Sequence, residues 1–257
     1  MGKRAVQEPA AERQPCWLPD QLYNTSMTYS TLFFDLDDTL YASSNGLWEA
    51  IRERMNLYMA ERLSIPMDQV LVLRREYFET YGTTLRGLQH HYHVDAEDYL
   101  EYVHDLPLQQ YLEPAPELRR LIQSLPQKCF IFTNADADHA QRVLTVLALT
   151  DCFEGIIDVR AIDYACKPEQ VAYQRALTLA GGPCAQECVM LDDSAKNLST
   201  AYDLGITTVQ VNSNGVAHPA VMHHLKSLIE LPKVLPQLWT TASDRHTSNP
   251  SFQETNV

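Results

Sequence analysis

Apolar residues concentrate in five short runs, each finishing in polar or acidic positions: STLFFDL (30–36), KCFIFTN (128–134), GIIDV (155–159), ECVMLDD (187–193) and ITTVQVN (206–212). Runs of this length, rich in β-branched and aromatic residues, predict buried strands. Between them the apolar spacing changes to three and four. Leu118, Leu121, Ile122 and Leu125 predict a helix starting near Pro114 and Pro116, and Val143, Val146, Leu147 and Leu149 predict another. A third helix is expected to take Pro168 as its first residue and to stop at Gly181-Gly182. A fourth has Ser194 as N-cap and Gly205 at its end. Strand and helix in alternation predict an α/β fold, a Rossmann-like parallel sheet with helices on both faces.

Residues 43–107 interrupt that alternation with helical patterns alone. Leu47, Ile51, Met55, Met59 and Leu63 recur at every fourth position, opposite Glu49, Arg52, Glu53 and Glu61. Further helices fit 67–80, 84–92 and 95–104, punctuated by Pro66 and Gly82. This predicts a helical cap domain inserted after the first strand and able to act as a lid. The catalytic core is then expected over 29–42 and 108–240. The flanking segments 1–28 and 241–257 are polar and aperiodic, and are expected to be disordered tails.

Composition removes several classes of partner. A formal charge of −13 over 257 residues argues against nucleic acid or an acidic membrane surface. No apolar run approaches the roughly 18 residues that a membrane span needs. The opening MGKRAVQEPAAERQPC lacks an apolar leader, and Val6 stands where myristoylation calls for Ser or Thr. The six cysteines are scattered, and Cys184 and Cys188 lack the Cys or His pair that would complete a zinc site. A reducing, cytoplasmic location is the expectation.

The polar residues at the strand ends carry the chemistry. The first strand runs into Asp35 and Asp37, the second into Thr133 and Asn134, and the fourth into Asp192 and Asp193; Lys167 precedes the third core helix. In a parallel sheet all of these gather at one edge, where ligands bind. Converging carboxylates without Cys or His suit Mg²⁺, which keeps open positions for a phosphate oxygen. Lys167 adds positive charge and Thr133 a hydroxyl donor. A carboxylate can then attack phosphorus, and a second can move the proton.

These residues, in the runs Asp-Leu-Asp-Asp-Thr-Leu, Thr133, Lys167-Pro168 and Asp192-Asp193-Ser194, resemble the haloacid dehalogenase superfamily of Mg²⁺-dependent phosphatases. The likeness covers about residues 29–215. It implies Asp35 as nucleophile and Asp37 as general acid/base, with the Asp37 carbonyl also on the metal. Thr133 and Lys167 would hold phosphoryl oxygens, and Asp193 would bind the metal; Asp192 would ligate it directly or through water. Asp37 favours phosphate esters over halo-acids, since dehalogenases lack an acid there. Phosphomutases related to β-phosphoglucomutase carry Gly where this chain has Asp38.

Longer runs narrow the resemblance. FFDLDDTLY, YGTTLRGL (81–88), FTNADADHAQRVL (132–144), CKPEQVAYQRAL (166–177) and DDSAKNLSTAYDLGITTV (192–209) are similar to the pyrimidine 5′-nucleotidase group. That implies nucleoside monophosphates such as UMP and CMP as substrates. Another small phosphate, of a sugar or a lysophospholipid, is the alternative, and a regulatory protein without turnover is a third. The remaining polar residues have blander readings. Asp38 is expected to serve the turn; Asn134 to contact phosphate or to brace the strand end; Lys196 and Asn197 to start a helix, with Asn197 able to point at the site. His90, His91 and His93 are expected on the cap surface, and residues 81–88 to be the cap segment nearest the substrate.

Overall fold

The computed structural model describes residues 29–213 and 215–239. Six parallel strands form one sheet in the order β3-β2-β1-β4-β5-β6: β1 Thr31–Phe34, β2 Lys128–Phe132, β3 Gly155–Ile157, β4 Cys188–Asp192, β5 Thr207–Gln210 and β6 His223–His224. All five predicted strands are present. β6 is new to the sequence reading, because two polar residues carry no periodicity; it adds at the edge beside Val209 and Gln210. Chain order reverses at β1, which lies between β2 and β4. The crevice beyond the carboxyl ends of those three strands is therefore the topological switch point, where such sheets bind ligands.

Alternation along β1 divides the core. Leu32 and Phe34 face one cluster with Ile131, Val189, Leu191 and Val209, covered by α5 Pro116–Gln123 and α6 Ala137–Val146. Phe33 faces the other with Phe132, Cys188 and Met190, covered by α7 Gln170–Leu179 and α8 Ala195–Asp203. Both faces are dry, as a parallel sheet requires. A short α9, Leu231–Val234, closes the C-terminal side.

Between β1 and β2 stand four helices: α1 Leu47–Glu61, α2 Met67–Tyr81, α3 Thr84–Tyr92 and α4 Ala96–His104. They form the cap. The fourfold stripe of α1 is used twice: Leu47 and Ile51 pack into the core cluster, whereas Met59 joins a separate cap cluster with Val70, Tyr77, Leu88 and Tyr99. Two glycines allow close approaches, one between cap and core and one within the cap. Gly82 ends α2 at φ +86°, with the space of its missing Cβ filled by Cys166 Sγ at 3.0 Å and the Lys167 carbonyl at 3.5 Å. At Gly87 a Cβ would fall 2.3 Å from Tyr77, so only glycine lets α3 lie this close to α2.

One helix start differs from the expectation. α7 begins at Gln170, not Pro168, because Glu169 has extended geometry (φ −66°, ψ 131°) and forms the cap. Pro168 instead follows a cis peptide bond with Lys167. Ser194 does cap α8, accepting from Asn197 N. The expected tails lie outside the described residues. Among the described residues no helix is long and apolar enough to cross a membrane.

Candidate active site

Asp35 emerges where β1 ends, its N–H still bonded to the Leu191 carbonyl at 2.8 Å. The chain then turns: Thr39 and Leu40 donate to the Leu36 carbonyl, and Asp38 takes φ 57°, a left-handed position that Asp tolerates better than most residues. That turn aims Asp35 and Asp37 apart. Asp35 is buried against the core, where Lys167 Nζ donates to its Oδ1 at 2.7 Å. The same ammonium donates to Asp192 Oδ2 at 2.7 Å. Lys167 is 1% exposed and Asp192 fully buried.

Asp192 is saturated on its other sides. Asn197 Nδ2 reaches both of its oxygens at 3.0 and 3.1 Å, and the Ser194 N–H donates at 2.8 Å. This residue thus anchors the lysine that Asp35 also uses. Burial works against the charged ammonium, yet Asp192 and Asp35 outweigh it and hold Lys167 above its ordinary value. Asp35 goes the other way. Burial, assisted by Asp192 and Asp37 and opposed by Lys167, pushes its carboxyl up to about 7. Asp193 is raised to about 8 by burial and by the charges of Asp192 and Asp35.

Asp35, Asp192 and Asp193 each present a carboxylate oxygen, all within 4.8 Å of one another. One lysine cannot neutralise three such groups, and two of them are pushed toward protonation. Their oxygen-only donor set fits a hard divalent cation such as Mg²⁺. His90, His91 and His93 are exposed and form no comparable group among the described residues; His91 Nε2 pairs with Tyr81 Oη at 2.9 Å.

Asp37 has a different environment. Tyr41 Oη donates to its Oδ1 at 2.6 Å, and His139 Nε2 meets the same oxygen at 2.9 Å. Oδ2 has no protein hydrogen bond among the described residues. Burial pushes this carboxyl up, but the charge and hydrogen bond of His139, with that of Tyr41, bring the net shift below the usual range. His139 Nδ1 is buried without a partner, and Nε2 is the ring nitrogen placed to donate to Asp37. The ring of His104, from the end of α4, stacks on His139 at 4.1 Å, and its Nδ1 meets Asp136 Oδ2 at 2.5 Å.

Neither the sequence pattern nor the motifs singled out His104, Asp136, His139 or Tyr41. A signal was present for two of them. Tyr41 follows Asp37 by four residues in a tight turn, and His139 occupies the first turn of α6, directly after Thr133 and Asn134. Thr133 is buried, lines the cavity, and accepts from Ala135 N at 3.0 Å. Asn134 uses its side chain on the Lys167 peptide, donating to the carbonyl at 2.9 Å and accepting from the N–H at 2.7 Å. That is the bracing alternative. Its amide secures the segment whose lysine enters the acidic cluster.

These residues open on one cavity of about 710 Å³, floored by Asp35, Asp37, Thr133, Lys167 and Asp193 and roofed by the cap. Residues 29–205 match the family model for haloacid dehalogenase-like hydrolases. The chain belongs to this family. Among curated proteins, the chain is 28% identical over 202 residues to phosphate metabolism protein 8 of Saccharomyces cerevisiae, covering 73% of the present chain. It spans 63% of the length of that relative. Two solved structures share the fold at 18% identity. CbbY of Rhodobacter sphaeroides, in complex with phosphate, has a TM-score of 0.59 over 79% of this chain and 96% of its own. HAD-hydrolase YfnB of Bacillus subtilis, bound to magnesium, has a TM-score of 0.54 over 80% and 98%.

Proposed function

We propose that this hydrolase is a Mg²⁺-dependent phosphomonoesterase that works through an aspartyl-phosphate on Asp35, with nucleoside monophosphates, UMP and CMP foremost, as substrates. The observation that carries the reading is the buried Lys167 shared between Asp35 and Asp192 beside an otherwise uncompensated acidic cluster. Such a site attracts a cation and then an anion. Held by Asp35, Asp193 and the Asp37 carbonyl, with Asp192 beside them, magnesium would supply positive charge for the phosphoryl oxygens.

The chain's own residues divide the remaining work. An oxygen of Asp35 bonds to phosphorus while the ester oxygen departs with its electron pair and takes a proton from Asp37, which, held ionised in the free protein, first picks that proton up from solvent. Water then attacks phosphorus and gives its proton to Asp37, and the Asp35–phosphorus bond breaks to release phosphate. Oδ2 of Asp37 is the oxygen left for that proton, since Tyr41 and His139 both engage Oδ1. Lys167 and Thr133 bind the phosphoryl oxygens, and Asn134 keeps Lys167 in place. A cytoplasmic location, expected from composition, belongs to the same proposal.

Leu71 and Phe78 are exposed residues that line the cavity, which favours a leaving group with apolar surface. A lipid phosphate offers that too and is the second reading; a simple sugar phosphate does not. Phosphate release from a panel of phosphometabolites, with and without Mg²⁺, tests both. Preference for UMP and CMP supports the first, and preference for lysophospholipid phosphate replaces it. Asp35→Asn is expected to lower turnover by at least about 10⁴-fold. Without metal its melting temperature at pH 8 should equal or exceed the wild type's. The native Asp35 carboxyl is raised to about 7, so its ionised form costs stability as pH rises toward and through that value. Activity retained in Asp35→Asn would eliminate the covalent route.

A further inference from the structure

The cap wall of the cavity contains polar atoms that nothing in the fold satisfies. Five lysine and arginine side chains line the cavity among the described residues. Lys167 is held by Asp35 and Asp192, Arg75 by Glu79, and Arg86 by Glu169. Lys196 Nζ lies 3.4 Å from the Glu79 carbonyl and above the Phe78 ring. Arg74, on α2, forms no ion pair and no hydrogen bond among the described residues; Glu53 is near enough for its charge to be felt, and the Arg74 Nε is buried without a partner.

Tyr99, on α4, repeats the pattern. The residue is 2% exposed and its ring packs edge-on against Tyr58 at 5.0 Å. Tyr58 sends its own hydroxyl to Asp98 at 2.7 Å, whereas the Tyr99 hydroxyl is buried without a partner. Buried polar groups in folded proteins are paired almost without exception, and each unpaired one needs a reason. Here two residues on helices that both pack against α1 line one cavity, and that cavity also holds the acidic cluster. Arg86, within the segment that the sequence places nearest the substrate, is already committed to Glu169.

The chemistry of a fitting ligand follows. A guanidinium only donates, and a tyrosine hydroxyl donates readily, so the wall calls for acceptor oxygens. Trp48, Leu71, Phe78 and Leu100 supply apolar surface in the same cavity. We propose that Arg74 and Tyr99 form a leaving-group subsite, which binds carbonyl or carboxylate oxygens carried on a flat apolar body. This rests on the phosphomonoesterase reading above and adds the residues that select among its substrates.

Three esters test the subsite: phenyl phosphate, which is flat and lacks an acceptor; 4-carboxyphenyl phosphate; and uridine 5′-phosphate. Arg74→Met should raise KM at least tenfold more for one of the two acceptor-bearing esters than for phenyl phosphate. The more sensitive ester tells carboxylate from carbonyl recognition. Tyr99→Phe, which keeps the ring and its packing, should act in the same direction by threefold or more. Equal losses on all three esters, or no loss on either acceptor-bearing one, would overturn the subsite. Calorimetric binding of the two acceptor-bearing esters to Asp35→Asn protein separates this from turnover. Arg74→Met in that background should weaken one of them tenfold, and unchanged binding of both would overturn the proposal. Weakened binding in a protein whose wild type cleaves none of the esters would instead reject the phosphomonoesterase reading and leave the subsite standing.

Discussion

On the core side of the cavity, Lys167 is divided between Asp35 and Asp192, Asp192 is closed off by Asn197 and the Ser194 N–H, and Asp37 is gripped by Tyr41 and His139. On the cap side, Arg74 and Tyr99 carry buried polar atoms with no partner. Under the proposed phosphomonoesterase reading, the contrast follows what each side has to meet. A phosphoryl group has the same shape and charge in every ester, so its receptors can be fixed in advance, and fixed dipoles need no reorganisation during the reaction. Leaving groups differ, and a wall that selects one of them must keep its donors free until that one arrives.

The largest expected effect comes from breaking the fixed side. Lys167→Met leaves Asp35 and Asp192 buried with no cation between them. It should cost about 3–5 kcal/mol of unfolding free energy, read by urea titration, because a buried charge loses its partner. Turnover should fall by about 10³-fold as a phosphoryl donor is lost. A variant of unchanged stability would mean that this lysine is not what organises the core side.

A smaller effect sharpens the picture at Asp37. His139→Leu keeps an apolar side chain in the stack beside His104 but removes the donor to Oδ1. We expect kcat on phenyl phosphate to fall about 10–100-fold, the range seen when an orienting partner of a site group is removed. KM should stay within about threefold, since a positioning role touches the proton-transferring group and not the ester. Comparable changes in kcat and KM would show a general packing defect instead.

The smallest concerns the link from cap to core. Asp136→Asn can still cap α6, as Asn is among the best N-caps, yet it loses the charged partner of His104. Unfolding free energy at pH 7 should drop by about 1.5–3 kcal/mol, the worth of a hydrogen bond to a charged group. Asp136 is held below the usual carboxylate range: burial opposes this, but the hydrogen bond and charge of His104 dominate. Its ionised form therefore stabilises the fold above about pH 4, and that gain is lost as pH falls further. The difference between variant and wild type that Asp136 itself contributes should shrink below pH 4. A constant difference down to pH 2.5 would remove the charge from the explanation.

Much of the fold was legible along the chain because burial imposes a period. The runs leading to Asp35, Thr133 and Asp193 read as strands, since each is a continuous apolar stretch too short for a helix of the core. Cap helices α1 to α4 were recoverable within a few residues from the fourfold stripe and from Pro66 and Gly82. Pro168 misled, since proline suits a first helical position as well as the turn before one, and local pattern cannot separate the two. β6 carried no pattern at all.

For the site, the sequence by itself determined which residue types stand at the strand ends, and hence that oxygen donors and one ammonium could gather at the switch point. Which of them are neighbours was decided only in three dimensions. Asn134 became the brace of Lys167, and Asp192 the anchor of the same ammonium. His139, 102 residues from Asp37, became its hydrogen-bond donor. The physical reason is that periodicity records which face of an element is buried, whereas a polar contact depends on the relative placement of two elements. That placement is set by packing of the whole sheet and cap, and no local window of sequence contains it.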